Sequence, residues 1–372
     1  MKAALARHWA RLTGSGTGAI GLYLGFERLT MVQMDAAGPL PTISGAASIP
    51  YDFERSELLA DRGRFQALLN QAFSESPFRG KRVVSCMPND QIKLMAVNFT
   101  AASGETDADA VLRELRQRLR SDLAGKIVDF VLVRQQEFPP RPNEAIVAIA
   151  ERTRVTAYLD MLRGCGLDVD ALEIGPVALT RVASWIGAPG REETPNLLVI
   201  TFGARSSYLT VVWGRRLMLD RGVDFAEHQL VSRLAKVLEM SEPAAMELLL
   251  ARGFVIGTRS DEDGEVGQML KDVLSPALAS LKSEVARTLD YTKSKTHGRS
   301  VDKIYLAGSL ARYPGIEDFL REHFTLPVEV LSPFSVFHHT LKLRDMELLW
   351  PHAGVVAATG MALRGVPAPW PK

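Results

Sequence analysis

The stretch VDKIYLAGSLARYPGIEDFLREHFTLPVEVLSPF, Val301 to Phe334, constrains the fold more than any other part of the chain. Ile304, Tyr305, Leu306 and Ala307 read as a buried strand, and Gly308–Ser309 as a tight turn. A helix is expected from about Pro314, and a second strand from Val328 to Leu331. A strand that ends in a glycine turn and opens into a helix presents backbone N–H groups, which suits a nucleotide phosphate or ribose. The same unit also serves as plain structure in many α/β proteins. Its weight here comes from two further glycine turns in the same chain.

The first is GLYLG, Gly21 to Gly25, inside AIGLYLGFERLTMVQMD, which reads as two strands around a turn at Gly25–Arg28. The second is ITFG, Ile200 to Gly203. There Leu197–Phe202, a turn Gly203–Ser206 and Ser207–Trp213 repeat the strand–turn–strand shape, and Leu217–Arg221 adds a third strand. Between the two hairpins lie expected strands at Ser44–Pro50, Val83–Met87, Ile92–Asn98, Ile127–Gln135, Glu144–Ala150 and Leu172–Ile174. Helices are expected at Arg64–Phe73, Ala108–Leu123, Arg152–Gly164 and Pro176–Trp185. The Pro/Gly/charge-rich stretch Gly187–Pro195 marks the main domain boundary. Helices at His228–Glu239, Pro243–Arg252, Val266–Lys295 and Ala353–Leu363 complete the second half.

With 372 residues the chain is long enough for about two or three domains. A net charge of +1 argues against a broad nucleic-acid surface. Cys86 and Cys165 stand apart in apolar surroundings, which fits buried free thiols in a reducing cytoplasm. No signal-peptide core is visible, and the longest apolar run, Ala353–Leu363, is too short to span a bilayer. Residues 1–12 place Met1, Leu5, Trp9 and Leu12 at helical spacing, with Lys2, Arg7 and Arg11 elsewhere. That pattern is compatible with weak contact at an anionic membrane surface or with docking on the protein itself, and Gly14–Gly18 follows as a flexible joint. No nucleophile elbow is present, and His338–His339 lacks companions at metal spacing.

The three glycine turns together follow the layout of the actin-like ATPase fold. Within it the chain resembles the PilM family of type IV pilus assembly proteins, relatives of the cell-division protein FtsA. The resemblance runs from about Ala19 to Gly365. It is strongest in Glu284–Leu320, Leu326–Phe334 and AGVVAATGMALRG, Ala353 to Gly365, with a further match over Ala145–Val182. It implies an α/β, actin-like two-domain fold, a duplicated mixed sheet flanked by helices, with an inserted FtsA-type 1C subdomain. Subdomain 1A would comprise 19–92, 162–190 and 352–372, and 1C would be 93–161. Subdomain 2A would be 191–225 with 300–351, and 2B would be 226–299.

The same resemblance implies a nucleotide cleft lined by Gly25, Phe26, Gly203, Ala204, Gly308 and Ser309, and here the chain departs from its family. Tyr23 and Thr201 stand at the two aspartate positions of the hairpins, and Phe26-Glu27-Arg28 replaces small hydroxyl residues. A later Gly-Gly pair reads Ala226-Glu227, and the adenosine-side pair reads Ala307-Gly308. Magnesium favours carboxylate and water oxygens, and Phe26 and Glu27 oppose a polyanion by bulk and charge. ATP and magnesium are therefore disfavoured, although Arg28 or Arg205 can pair a phosphate directly. Asp220, Asp224 and Glu284 are the carboxylates that a working ATPase would have to recruit; each reads as a surface or capping charge.

The expected function is thus a pseudo-ATPase. It would be a non-catalytic cytoplasmic scaffold at the inner-membrane face, binding the cytoplasmic tail of a bitopic PilN-like partner in a groove beside 1C, along with other pilus machine proteins or further copies of itself. The alternatives are an ATP-driven switch of the same machine and the cytoplasmic component of a type II secretion-like system. The resemblance to the secretion protein implies a transmembrane helix after the actin-like part, and the end of this chain at Lys372 without one favours the pilus reading.

Overall fold

A computed structural model describes residues 17–36, 38, 40–119, 123–134, 142–186, 195–254, 261–342, 346, 349 and 353–366. The strands in chain order begin with β1 (Thr17–Leu24), β2 (Arg28–Asp35), β3 (Thr42–Pro50), β4 (Arg82–Cys86) and β5 (Ile92–Phe99). Then come β6 (Lys126–Arg134), β7 (Asn143–Glu151), β8 (Asp168–Glu173), β9 (Leu197–Phe202) and β10 (Ser207–Trp213). The last four are β11 (Arg216–Val223), β12 (Lys303–Gly308), β13 (Val328–Val330) and β14 (His338–His339).

Two of the sheets share one plan. The first runs β3-β2-β1-β4-β8, with β14 added outside β3, and the second runs β11-β10-β9-β12-β13. In each, an antiparallel hairpin and its third strand lead into two parallel strands. The hairpin repeated in the sequence is therefore the first element of a duplicated sheet. β5-β7-β6 forms a separate antiparallel sheet, inserted between β4 and β8.

Helices cover both faces of the first sheet, so its central strands are buried along most of their length rather than on alternate residues. Phe65, Leu68 and Leu69 of the helix Arg62–Glu75 pack on Ile20, Leu22 and Leu29. On the other face lies the helix Ala353–Ala362, which approaches β1 so closely that a Cβ on Gly21 would sit 1.9 Å from the Ala358 carbonyl oxygen. The inserted sheet buries Val97, Phe99 and Val147 against Val111 and Leu115 of the helix Asp107–Leu119. Asp107 and Asp109 in that helix's first turn complement its dipole. A further core joins the two halves at their base: Val32, Met34 and Ile43 share one apolar cluster with Leu197, Val199 and Tyr305.

The helix expected from about Pro314 occurs as Ile316–Arg321, with Pro314 and the left-handed Gly315 (φ 73°) just before it. Between it and β12 lies a 3₁₀ turn over Ser309–Arg312, so Gly308–Ser309 opens onto that turn rather than directly onto an α-helix. One expectation changes: the Gly14–Gly18 joint ends early, because Thr17 and Gly18 already belong to β1; its remainder and the amphipathic segment 1–12 lie outside the described residues. So does most of the Gly187–Pro195 boundary. Among the described residues no helix is long and apolar enough to cross a membrane. Cys86 and Cys165 are buried free thiols, and burial, with Glu173 nearby, pushes the Cys86 thiol up to about 12.

Candidate functional site

The three glycine turns converge at one end of the paired sheets. Gly308 lies beside Phe202 in the β12–β9 ladder, so the chain leaves both strands side by side at Gly203 and Ser309. The first hairpin reaches this point through Phe26, whose ring carries the Arg205 guanidinium of the second hairpin 5.9 Å from its centroid.

The first turn is internally satisfied. The Gly25 N–H donates to the Arg28 carbonyl at 2.9 Å, and the Tyr51 hydroxyl donates to the Gly25 carbonyl. A second guanidinium, that of Arg55, lies 4.1 Å from the Phe26 centroid; it is buried and paired with Asp90. Arg205 also pairs with Glu54 at 3.2 Å. The arginines expected to be free for phosphate are thus engaged, since Arg28 donates to the Ser48 hydroxyl at 2.9 Å and to its carbonyl at 2.6 Å.

The second turn is engaged as well. The Gly203 and Ala204 carbonyls accept from the Glu227 and His228 amides, each at 3.2 Å. These amides start the helix Glu227–Val237, and an uncommitted helix start is where an anion would dock. Glu227 itself is buried. Its carboxylate accepts from Arg312 at 2.8 Å and from the Tyr313 hydroxyl at 2.5 Å. Burial, reinforced by Glu227, holds the Tyr313 phenol well above its usual range.

Gly308 takes φ 95°, and a Cβ there would lie 1.9 Å from the Phe202 carbonyl oxygen. Neither aspartate position carries a carboxylate. Tyr23 packs beside Gly354, with burial raising its phenol, while the Thr201 and Ser309 hydroxyls are enclosed without hydrogen-bond partners.

The carboxylates that a working ATPase would recruit are used otherwise. Glu284 pairs with Arg221 and Arg287. Asp220 is not the surface charge its sequence context suggests: it lies on β11 opposite Thr210, whose hydroxyl donates to it at 2.6 Å. Burial pushes its carboxyl up to about 7, against only a partial lowering by Thr210. With an ordinary value of 3.8, the unfolded chain releases this proton first. Stability therefore falls as pH rises from about 4 to about 7, by at most about 1.4 kcal/mol per pH unit. Asp220→Asn should flatten that slope and gain most over the parent at pH 8, measured by urea unfolding at pH 5 and pH 8. Equal differences at both pH values would refute it.

Sequence reasoning missed Glu54, Arg55, Arg312 and Tyr313. The last two lie inside the most informative stretch, but nothing local marks their partner, Glu227, which is 85 positions from Arg312.

Two sheets of one strand order, with hairpin turns meeting where the parallel strands end, define a two-lobed protein of the actin-like fold. A family model described as type IV pilus assembly protein PilM matches residues 45–366, and the chain belongs to that family. Among solved structures it is similar to the PilM-PilN type IV pilus biogenesis complex, with TM-score 0.71 and 21% identity over 94% of this chain and 99% of that one. It is also similar to the ethanolamine utilization protein EutJ from Carboxydothermus hydrogenoformans, with TM-score 0.53 and 13% identity over 94% and 90%. No curated protein matches the chain.

Proposed function

We propose that the chain is a non-catalytic scaffold of a type IV pilus machine, and that it holds the cytoplasmic tail of a PilN-like inner-membrane protein. Membership of the PilM family supports the setting, and the similar structure is a PilM-PilN complex. The partner tail would lie in a groove beside the inserted β5-β7-β6 sheet, with apolar anchors and main-chain pairing supplying affinity. The protein would then be held peripherally at the inner-membrane face by that partner.

The observation that carries the non-catalytic reading is the cross-cleft contact of Phe26 with Arg205. A magnesium-bound nucleotide does not fit these residues. The ring and the Arg205–Glu54 pair stand between the two turns, the Arg312–Glu227 pair fills the second Gly-Gly position, and Tyr23 and Thr201 offer magnesium no anionic oxygen. An ATP-driven switch is therefore the weaker reading.

Thermal unfolding with and without Mg·ATP tests this. A ligand at about 100 times its dissociation constant adds about 2.7 kcal/mol and raises Tm by a few degrees. The expected result is no shift at millimolar Mg·ATP. A clear rise would overturn the non-catalytic reading.

A further inference from the structure

We propose that the side chains across the cleft replace a nucleotide as the bridge that holds the two lobes closed, so that the scaffold is fixed in one conformation without a ligand. The inference deepens the scaffold reading and rests on it. In a two-lobed fold, a ligand between the hairpins favours closure by touching both lobes at once. Here Arg205 of the second lobe touches both Phe26 and Glu54 of the first. Arg55, buried and anchored by Asp90, supports the ring from the first lobe. Deeper in the second lobe, Glu227, Arg312 and Tyr313 form a closed charge cluster.

The two regions differ in character. The Glu227 cluster is buried and belongs to the second lobe's core, so it fills space rather than switching. The Arg205–Glu54 pair is exposed, with side-chain accessibilities of 65% and 62%, and it crosses from lobe to lobe. That pair and the ring contact are the parts that can release. Each such contact is individually weak, but they act together at the open end of the cleft while the shared apolar core fixes the base.

The test is a distance measurement between spin labels at Gln71→Cys and Glu247→Cys, exposed positions on opposite lobes, in the full chain. Cys86 and Cys165 are buried and escape labelling. The parent should give one narrow distance, unchanged by Mg·ATP. Arg205→Ala, at an exposed site, should leave the fold intact and raise the population of longer distances roughly five-fold; Phe26→Ser combined with Arg205→Ala should raise it further. If both variants keep the parent's single distance, the lock is refuted while the scaffold reading stands. If the parent is broad and Mg·ATP narrows it, the lock and the non-catalytic reading fall together.

Discussion

Glu227→Ala is expected to destabilise the protein by about 3–5 kcal/mol, because it breaks a buried ion pair by removing one partner. Glu227 is 3% exposed, and its carboxylate satisfies both the Arg312 guanidinium and the Tyr313 hydroxyl. Without it Arg312 keeps a charge in a site where its Nε is already enclosed and unpartnered, and the deeply buried Tyr313 keeps only the weak Met246 thioether, 3.1 Å away, as acceptor. An uncompensated buried charge costs more than the intact pair stabilises. Glu227→Ala with Arg312→Leu should therefore recover most of the loss, as apolar replacements of buried pairs often do. Urea unfolding of the two variants decides the matter. A double variant as unstable as the single one would mean that packing, not charge, carries the effect.

Gly308→Ala should cost a similar amount, on the order of 3–5 kcal/mol. Two penalties coincide there: φ is 95°, and the added Cβ would lie 1.9 Å from the backbone oxygen of Phe202, which cannot rotate away. Gly298 separates them. Its φ is 86°, yet nothing lies within 4 Å of the point where a Cβ would stand, so Gly298→Ala should lose only about 1–2 kcal/mol. If the two variants melt alike, the close approach of β12 to β9 is not what demands glycine at 308.

Much of the fold was legible because local pattern encodes period and punctuation. Leu197–Phe202, Ser207–Trp213 and Arg152–Gly164 occur with the expected bounds, since apolar runs and glycine stops set their ends. The repeated hairpin also pointed to the duplicated sheet. The helix expected from about Pro314 begins at Ile316, because Pro314 and the left-handed Gly315 form the turn that leads into it. Asp220 read as a surface or capping charge because nothing local marks its cross-strand partner Thr210.

The site was half legible. The departures at Tyr23, Phe26, Thr201 and Glu227 can be read by position. What fills the cleft in their place cannot, because Glu54 and Arg205 are 151 positions apart and neither lies in a patterned segment that names the other. Pairing of that kind is a property of the folded surface, and only the convergence of the two hairpins brings it about.

The most direct test of the scaffold account is calorimetric titration of a synthetic peptide, the cytoplasmic N-terminal tail of the PilN-like protein from the same organism, into the full chain with and without Mg·ATP. The account predicts saturable binding with the same dissociation constant in both conditions. No binding, or an affinity that changes about ten-fold or more with Mg·ATP, would contradict it.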